Sequence, residues 1–170
     1  MSDLRPFDPA RIVDVLLRHG VHFVLIGGLA AQAHGSPSST FDVDVCFARD
    51  ADNLGRLAEA LAELAAVRRA LPPDSPPLPP LDARTLRAAA RFTLTTRFGD
   101  LDLRGAPDPG LDYEALVSRA AATSIAGREI KVAALDDLIA MKRAAGRPKD
   151  RVELEILGAL REEIDRRGEA

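Results

Sequence analysis

The chain has 170 residues, of which 46% are apolar and only 4% aromatic, with a net charge of −3, one cysteine and no tryptophan. This length suits one domain, or one domain with a small helical addition, built on a Leu, Val, Ile and Ala core. The charge excludes a global attraction to nucleic acid or anionic membrane, Cys46 alone excludes an intramolecular disulfide or a multi-cysteine zinc site, and no apolar run approaches a membrane span. Met1–Ala10 is short and polar rather than a signal peptide, so the expectation is a soluble cytoplasmic protein with no membrane partner.

Asp8-Pro9 pairs an N-cap with proline at the first helical position, and Ile12, Val15, Leu16 and His19 follow at helical spacing up to Gly20. Val21–Ile26 reads as a buried strand, and Gly27–His34 as a short Ala-rich helix closed by Gly35-Ser36-Pro37. Phe41–Phe47 reads as a strand with Phe41, Val43, Val45 and Phe47 on its apolar face. Ala51–Val67 carries Leu54, Leu57, Leu61 and Leu64 at three- and four-residue steps, so a long amphipathic helix is expected. Six of the ten residues in Leu71–Pro80 are proline, which predicts an extended surface loop.

A short helix is expected near Asp82–Ala90, then a hairpin of Arg91–Thr96 and Leu101–Leu103 around Phe98-Gly99-Asp100. Tyr113–Arg119 reads as a helix and Glu129–Val132 as a strand. Leu135–Ala145 is a helix stopped by Gly146 with Pro148 beyond. Pro148–Arg167 is the last helix, with Val152, Ile156, Leu157, Leu160 and Ile164 expected inside. The order is mixed α/β in front and helical behind, without regular βαβ alternation. It predicts an α+β fold: a mixed sheet flanked by helices in residues 1–133, and a helical segment, 134–170, packed on it.

The chemistry concentrates on two strands. Asp42 and Asp44 share one face of the first, with Cα atoms roughly 6.5–7 Å apart, and Asp102 repeats the pattern in the hairpin's second arm. If these strands are sheet neighbours, three carboxylates converge. Such a cluster repels itself, and divalent metal relieves the repulsion while activating a hydroxyl for in-line attack on a phosphate. The bland alternative is a solvated sheet face with chance acids. Asp100 is the substitute for Asp102, but it belongs to the turn.

Gly27-Gly28 at a strand end lets a phosphate approach the backbone. Lys142 continues the apolar stripe of Leu135, Leu138 and Ile139, so it either snorkels to solvent or reaches a nucleotide phosphate. With Arg143, Arg147, Lys149 and Arg151 it forms the one dense basic segment, interrupted by Asp150. That segment is either a solvated helix junction or a contact for phosphate or an RNA backbone. His19, His22 and His34 lack metal-ligand spacing. Cys46 reads as structural, and no Ser-His-Asp or P-loop pattern occurs.

Together, Gly27-Gly28, Asp42-Val43-Asp44 and the later Asp102 resemble the nucleotidyltransferase superfamily, which has the fold of DNA polymerase beta and of the antibiotic nucleotidyltransferases. Thr40, the element Phe98–Leu103, Leu138–Lys142 and Gly146–Asp150 resemble a narrower group, small bacterial nucleotidyltransferase proteins related to abortive-infection type IV toxins.

The resemblance implies magnesium-dependent transfer of a nucleoside monophosphate from a nucleoside triphosphate to an acceptor hydroxyl. Asp42 and Asp44 would hold two Mg²⁺ ions, or Mn²⁺. Asp102 would share one and help deprotonate the acceptor. Gly27 and Gly28, with Ser39, Thr40, Lys142 and Asp150, form the nucleotide-binding set. An RNA or tRNA acceptor in a toxin-like role, with a cognate antitoxin, is the leading expectation. A small molecule such as an aminoglycoside, or a non-catalytic nucleotide-binding protein on the same fold, is the alternative. One departure stands out: relatives often carry Arg or Lys shortly before the Thr-x-Asp-x-Asp run, where this chain has Ser36-Pro37-Ser38-Ser39.

Overall fold

The computed structural model describes residues 6–69 and 71–168. In chain order the elements are α1 (Pro9–Arg18), β1 (Phe23–Ile26), α2 (Gly27–Ala33), β2 (Asp42–Phe47), α3 (Ala51–Glu63), β3 (Val67–Arg68) and α4 (Ala83–Ala88). They continue with β4 (Arg91–Thr96), β5 (Gly99–Arg104), α5 (Tyr113–Arg119), β6 (Ala121–Ile125), β7 (Arg128–Val132), α6 (Leu135–Ala145) and α7 (Pro148–Gly168).

Aspartates start four of these helices. Asp8, Asp50, Asp82 and Asp112 each accept a bond from the backbone N–H three residues on, at α1, α3, α4 and α5. Each supplies one of the amide partners that a helix start lacks. At the other end, Gly146 adopts φ +60° and closes α6.

The strands form one mixed sheet in the order β3-β4-β5-β2-β1-β7-β6. β1 runs antiparallel to β2 and parallel to β7. β2 is parallel to β5, and β5 is antiparallel to β4. Val43, Val45, Leu101, Leu103 and Leu94 are fully buried on the apolar face. The leucines of α3 and Ile12 and Leu16 of α1 join the same core. Asn53, itself fully buried, ties α3 to the sheet by accepting from His22 N and donating to the His22 and Ala48 carbonyls. At the other flank α6 packs on α2 and α7, and Leu157 of α7 reaches the core.

Several expectations are corrected. α3 stops at Glu63 rather than running to Val67, because Ala65 takes a left-handed φ of 51° and the chain turns into β3. β2 begins at Asp42, so Phe41 lies outside the strand and is 78% exposed instead of buried. On α7, Val152 and Ile164 are also exposed, and Leu157 is the one apolar residue of that helix fully inside. β6 is a strand that apolar alternation does not mark. The proline segment is exposed and lacks regular structure, as composition predicts.

Candidate active site

Strand alternation sends Val43 and Val45 into the core and Asp42 and Asp44 out of the opposite face. The same holds on β5 for Leu101 and Leu103 against Asp100, Asp102 and Arg104. Parallel pairing of β2 with β5 sets Asp44 opposite Asp102 and Asp42 opposite Asp100. One carboxylate oxygen from each of Asp42, Asp44 and Asp102 then falls within 4.8 Å of the others. Asp100 is turned to other work: it accepts a 2.8 Å bond from Thr95 Oγ1 and pairs with Arg69 at 3.4 Å.

This crowding has an electrostatic signature. Burial, reinforced by the charges of Asp42 and Asp102, pushes the Asp44 carboxyl up to about 7. Burial also raises Asp102, against the pull of Arg69, whose Nη2 sits 2.5 Å from Asp102 Oδ1. Like charges this close are what a hard cation neutralises, and three carboxylate oxygens are the donor set such a cation prefers.

The diglycine is fitted against these acids. Gly27 has φ +69°, and a Cβ there would collide with the Asp44 carboxylate. A Cβ on Gly28 would stand 2.6 Å from Thr40 Cβ. Thr40 in turn donates a 2.9 Å bond to Asp42 Oδ1, fixing that carboxylate before β2 begins. Only glycines bring the start of α2 this near the acids.

A cleft of about 610 Å³ collects Gly27, Gly28, Ser39, Thr40, Asp42, Asp44, Asp102 and Lys142 along its walls. Lys142 turns along this wall. Its Nζ lies 3.4 Å from Asp150 Oδ1 and also pairs with Glu153. Asp150 is only 1% exposed, so it stands behind the cleft rather than lining it. It accepts from the Arg147 backbone N and from Arg147 Nε at 2.8 Å, which holds its carboxyl below the usual range. Two cations of the basic segment are therefore paired to one buried acid.

Three residues escape the sequence reading: Arg69, which clamps Asp102, and Arg91 and Arg104, which line the far wall of the cleft. Arg104 continues the Asp100, Asp102 alternation and was legible on that basis. Arg69 has no local signal, because it reaches its partner across β4.

No protein-family model matches the chain, and no curated protein sequence does. Solved structures do. The chain is similar to the lincomycin-bound lincosamide antibiotic adenylyltransferase LnuA, with a TM-score of 0.60 at 14% identity, covering 92% of this chain and 99% of that one. It is similar to the antibiotic-resistance factor ANT(2'')-Ia in solution, with a TM-score of 0.55 at 15% identity over 92% of this chain and 89% of that one. It is also similar to TM1012 of Thermotoga maritima, assigned as a nucleotidyltransferase, with a TM-score of 0.55 at 16% identity over 98% and 99% of the two chains. The chain has the nucleotidyltransferase fold.

Proposed function

We propose that this chain is a metal-dependent nucleotidyltransferase that moves a nucleoside monophosphate from a nucleoside triphosphate to an acceptor hydroxyl. The observation that carries the reading is the convergence of Asp42, Asp44 and Asp102 beside Gly27-Gly28 in one cleft. The donor set fits Mg²⁺, with Mn²⁺ as a substitute, held by these three carboxylates. When bound, the metal supplies Lewis acidity to the transferred phosphoryl group.

The chain's own residues then divide the work. Gly27, Gly28, Ser39 and Thr40 hold the triphosphate on the β1 side, with Lys142 in reach as a positive charge and Asp150 fixing its position. Asp102 stands on the β5 side, lining the cleft with its Oδ1 bonded to Arg69. It accepts the acceptor hydroxyl proton as the new oxygen–phosphorus bond forms and pyrophosphate leaves with the broken one.

A small-molecule acceptor is favoured over RNA. LnuA and ANT(2'')-Ia, whose folds this chain shares, are named for antibiotic modification or resistance, and ANT(2'')-Ia is also seen with adenylyl-2''-tobramycin. The basic segment that points towards RNA is partly neutralised, with Lys142 and Arg147 both paired to Asp150. A toxin-like role with an antitoxin partner rests on resemblance alone.

The test is incubation with Mg²⁺ and each labelled nucleoside triphosphate, in the presence of a bacterial small-molecule extract or total RNA. An Asp42→Asn/Asp44→Asn variant runs beside it. Label on a small molecule, only with intact aspartates, is the expected result. Label on RNA overturns the acceptor assignment, and absence of both transfer and metal-dependent nucleotide binding overturns the enzyme.

A further inference from the structure

Arg91 and Arg104 face each other directly across the antiparallel β4–β5 ladder, on the same sheet face as the aspartates. Residues so paired have Cβ atoms roughly 4.5–5.5 Å apart, and like charges there are destabilising. Strands more often place an acid opposite an arginine. Here Asp100 and Asp102 pair directly with Arg69, and Arg104 acts on Asp44 and Asp102 only through space. Among the described residues neither Arg91 nor Arg104 has an ion-pair partner within 4.0 Å, although Asp108 lines the same wall. Two arginines that are register partners on neighbouring strands and both line one cleft can serve as a receptor for an oxyanion.

Their place in the sheet says which substrate they meet. The strand order β4-β5-β2-β1 puts Gly27-Gly28, at the end of β1, on one side of Asp42 and Asp44. Arg91 and Arg104 lie on the other side, beyond Asp102. Arg104 is two residues along β5 from Asp102, roughly 6.5–7 Å at the usual strand rise. We propose that Arg91 and Arg104 form an anion subsite on the acceptor side of the cleft, so that the acceptor is an alcohol bearing a phosphate near its reacting hydroxyl. The division into donor and acceptor sides rests on the transfer reading above; the subsite itself does not.

The test begins without nucleotide or metal. Inorganic phosphate is titrated into wild type, Arg91→Gln/Arg104→Gln, Arg91→Lys/Arg104→Lys and Asp42→Asn/Asp44→Asn, with binding read by backbone amide shifts and melting temperature. Phosphate should bind wild type, and should bind the Asn variant at least as tightly because two repelling carboxylates are gone. It should bind more weakly to the Lys variant, and at least tenfold more weakly to the Gln variant. Equal phosphate binding by wild type and the Gln variant overturns the subsite, as does no binding by wild type.

A second arm offers labelled nucleoside triphosphate and Mg²⁺ with ribose, ribose 5-phosphate, a short RNA with a 3′-hydroxyl, or a cationic aminoglycoside. Wild type should favour the phosphate-bearing acceptors at least tenfold, a preference that collapses in the Gln variant. Ribose 5-phosphate is the expected acceptor of the two; RNA labelled in preference to it supports the phosphate requirement and overturns the small-molecule reading above. Preference for ribose or the aminoglycoside overturns the acceptor assignment. If no acceptor is labelled while phosphate binding still depends on the arginines, the subsite stands and the transfer reading falls.

Discussion

Arg69 Nη2 lies 2.5 Å from Asp102 Oδ1, joining the edge of the sheet to the third carboxylate of the acidic cluster. The guanidinium reaches over β4 and also contacts Asp100, so one side chain orients both acids of β5. Its charge opposes the upward push of burial on the Asp102 carboxyl.

Removing Arg69 should therefore cost turnover more than nucleotide affinity. A charge-assisted bond of this kind contributes about 1.5–3 kcal/mol, which corresponds to roughly a ten- to hundredfold fall in kcat. Arg69→Gln should show that fall with the KM for nucleoside triphosphate nearly unchanged. Arg69→Lys keeps the charge without the planar fork and should recover part of it. Steady-state rates of all three proteins decide; a wild-type kcat in Arg69→Gln removes Arg69 from the machinery.

Asp44 makes the metal-free fold sensitive to pH in an unusual direction. Its carboxyl rises to about 7 in the folded chain, well above the unfolded value. Between about pH 4 and that point the folded state binds more protons than the unfolded state, so stability falls as pH rises. At pH 8 in EDTA the penalty reaches about 2–4 kcal/mol. Asp44→Asn should then melt roughly 4–10 °C above wild type. The gain should shrink by half or more at pH 5, and Mg²⁺ should close the gap at pH 8 by stabilising wild type. Parallel melting curves at all pH values would show that Asp44 is not under this strain.

The acidic cluster was legible because it obeys a local rule. Asp42, Asp44 and Asp102 alternate with Val43, Val45, Leu101 and Leu103, and alternation needs no knowledge of the rest of the fold. The choice of Asp102 over Asp100 rests on reading Asp100 as part of the turn, whereas β5 starts at Gly99 and Asp100 lies within it opposite Asp42. Asp102 is nonetheless the acid that joins the cluster, while Asp100 bonds Thr95 and Arg69. Pairings across strands were not legible. Arg91 opposite Arg104 depends on the register set by the β4–β5 turn, and Arg69 above Asp102 on the docking of β3 at the far side of β4.

β6 was missed for a different reason. Ala121-Ala122-Thr123-Ser124 is small, polar and largely exposed at the sheet edge, and takes its conformation from pairing with β7. On α7 the apolar spacing overstated burial, since a helix packed against one partner at its middle leaves Val152 and Ile164 in water.

Asp150 anchors the junction of α6 and α7. It is buried, accepts from Arg147 through both backbone and side chain, and pairs with Lys142. Its carboxyl is held below the usual range chiefly by the Arg147 bond, so this stabilisation is present above the unfolded carboxylate pKa and is lost as pH falls through the folded one. Asp150→Asn should cost about 1–3 kcal/mol at neutral pH. The difference should fade in strong acid. Melting temperatures from pH 7 down to 3 test this, and equal stability at pH 7 would show that the junction does not depend on the charge.

Cys46 shares the aspartate face by alternation yet is fully enclosed, its Sγ directed at the Gly105 carbonyl. Burial pushes the thiol up to about 12, so almost none is thiolate at neutral pH. Ellman's reagent should leave the native protein unlabelled and react with one thiol per chain in urea. Fast labelling of the native state would contradict both the burial and the suppressed ionisation.

Gly27 and Gly28 face different neighbours, and that separates their roles. Alanine at Gly27 must adopt φ +69° and push its methyl into the Asp44 carboxylate, so backbone strain and displacement of a cluster acid arrive together. Alanine at Gly28 keeps an ordinary backbone and presses instead on Thr40, whose hydroxyl fixes Asp42. Overpacking of this kind costs about 1–3 kcal/mol. Gly27→Ala should lower both stability and metal affinity, because Asp44 moves. Gly28→Ala should lose stability as well, and Thr40→Gly in the same chain should restore much of it by removing the opposing Cβ. Manganese binding and melting temperature, measured on the two single variants and the Gly28→Ala/Thr40→Gly pair, separate these effects. Failure of Thr40→Gly to rescue would mean that Gly28 is needed for something other than its approach to Thr40.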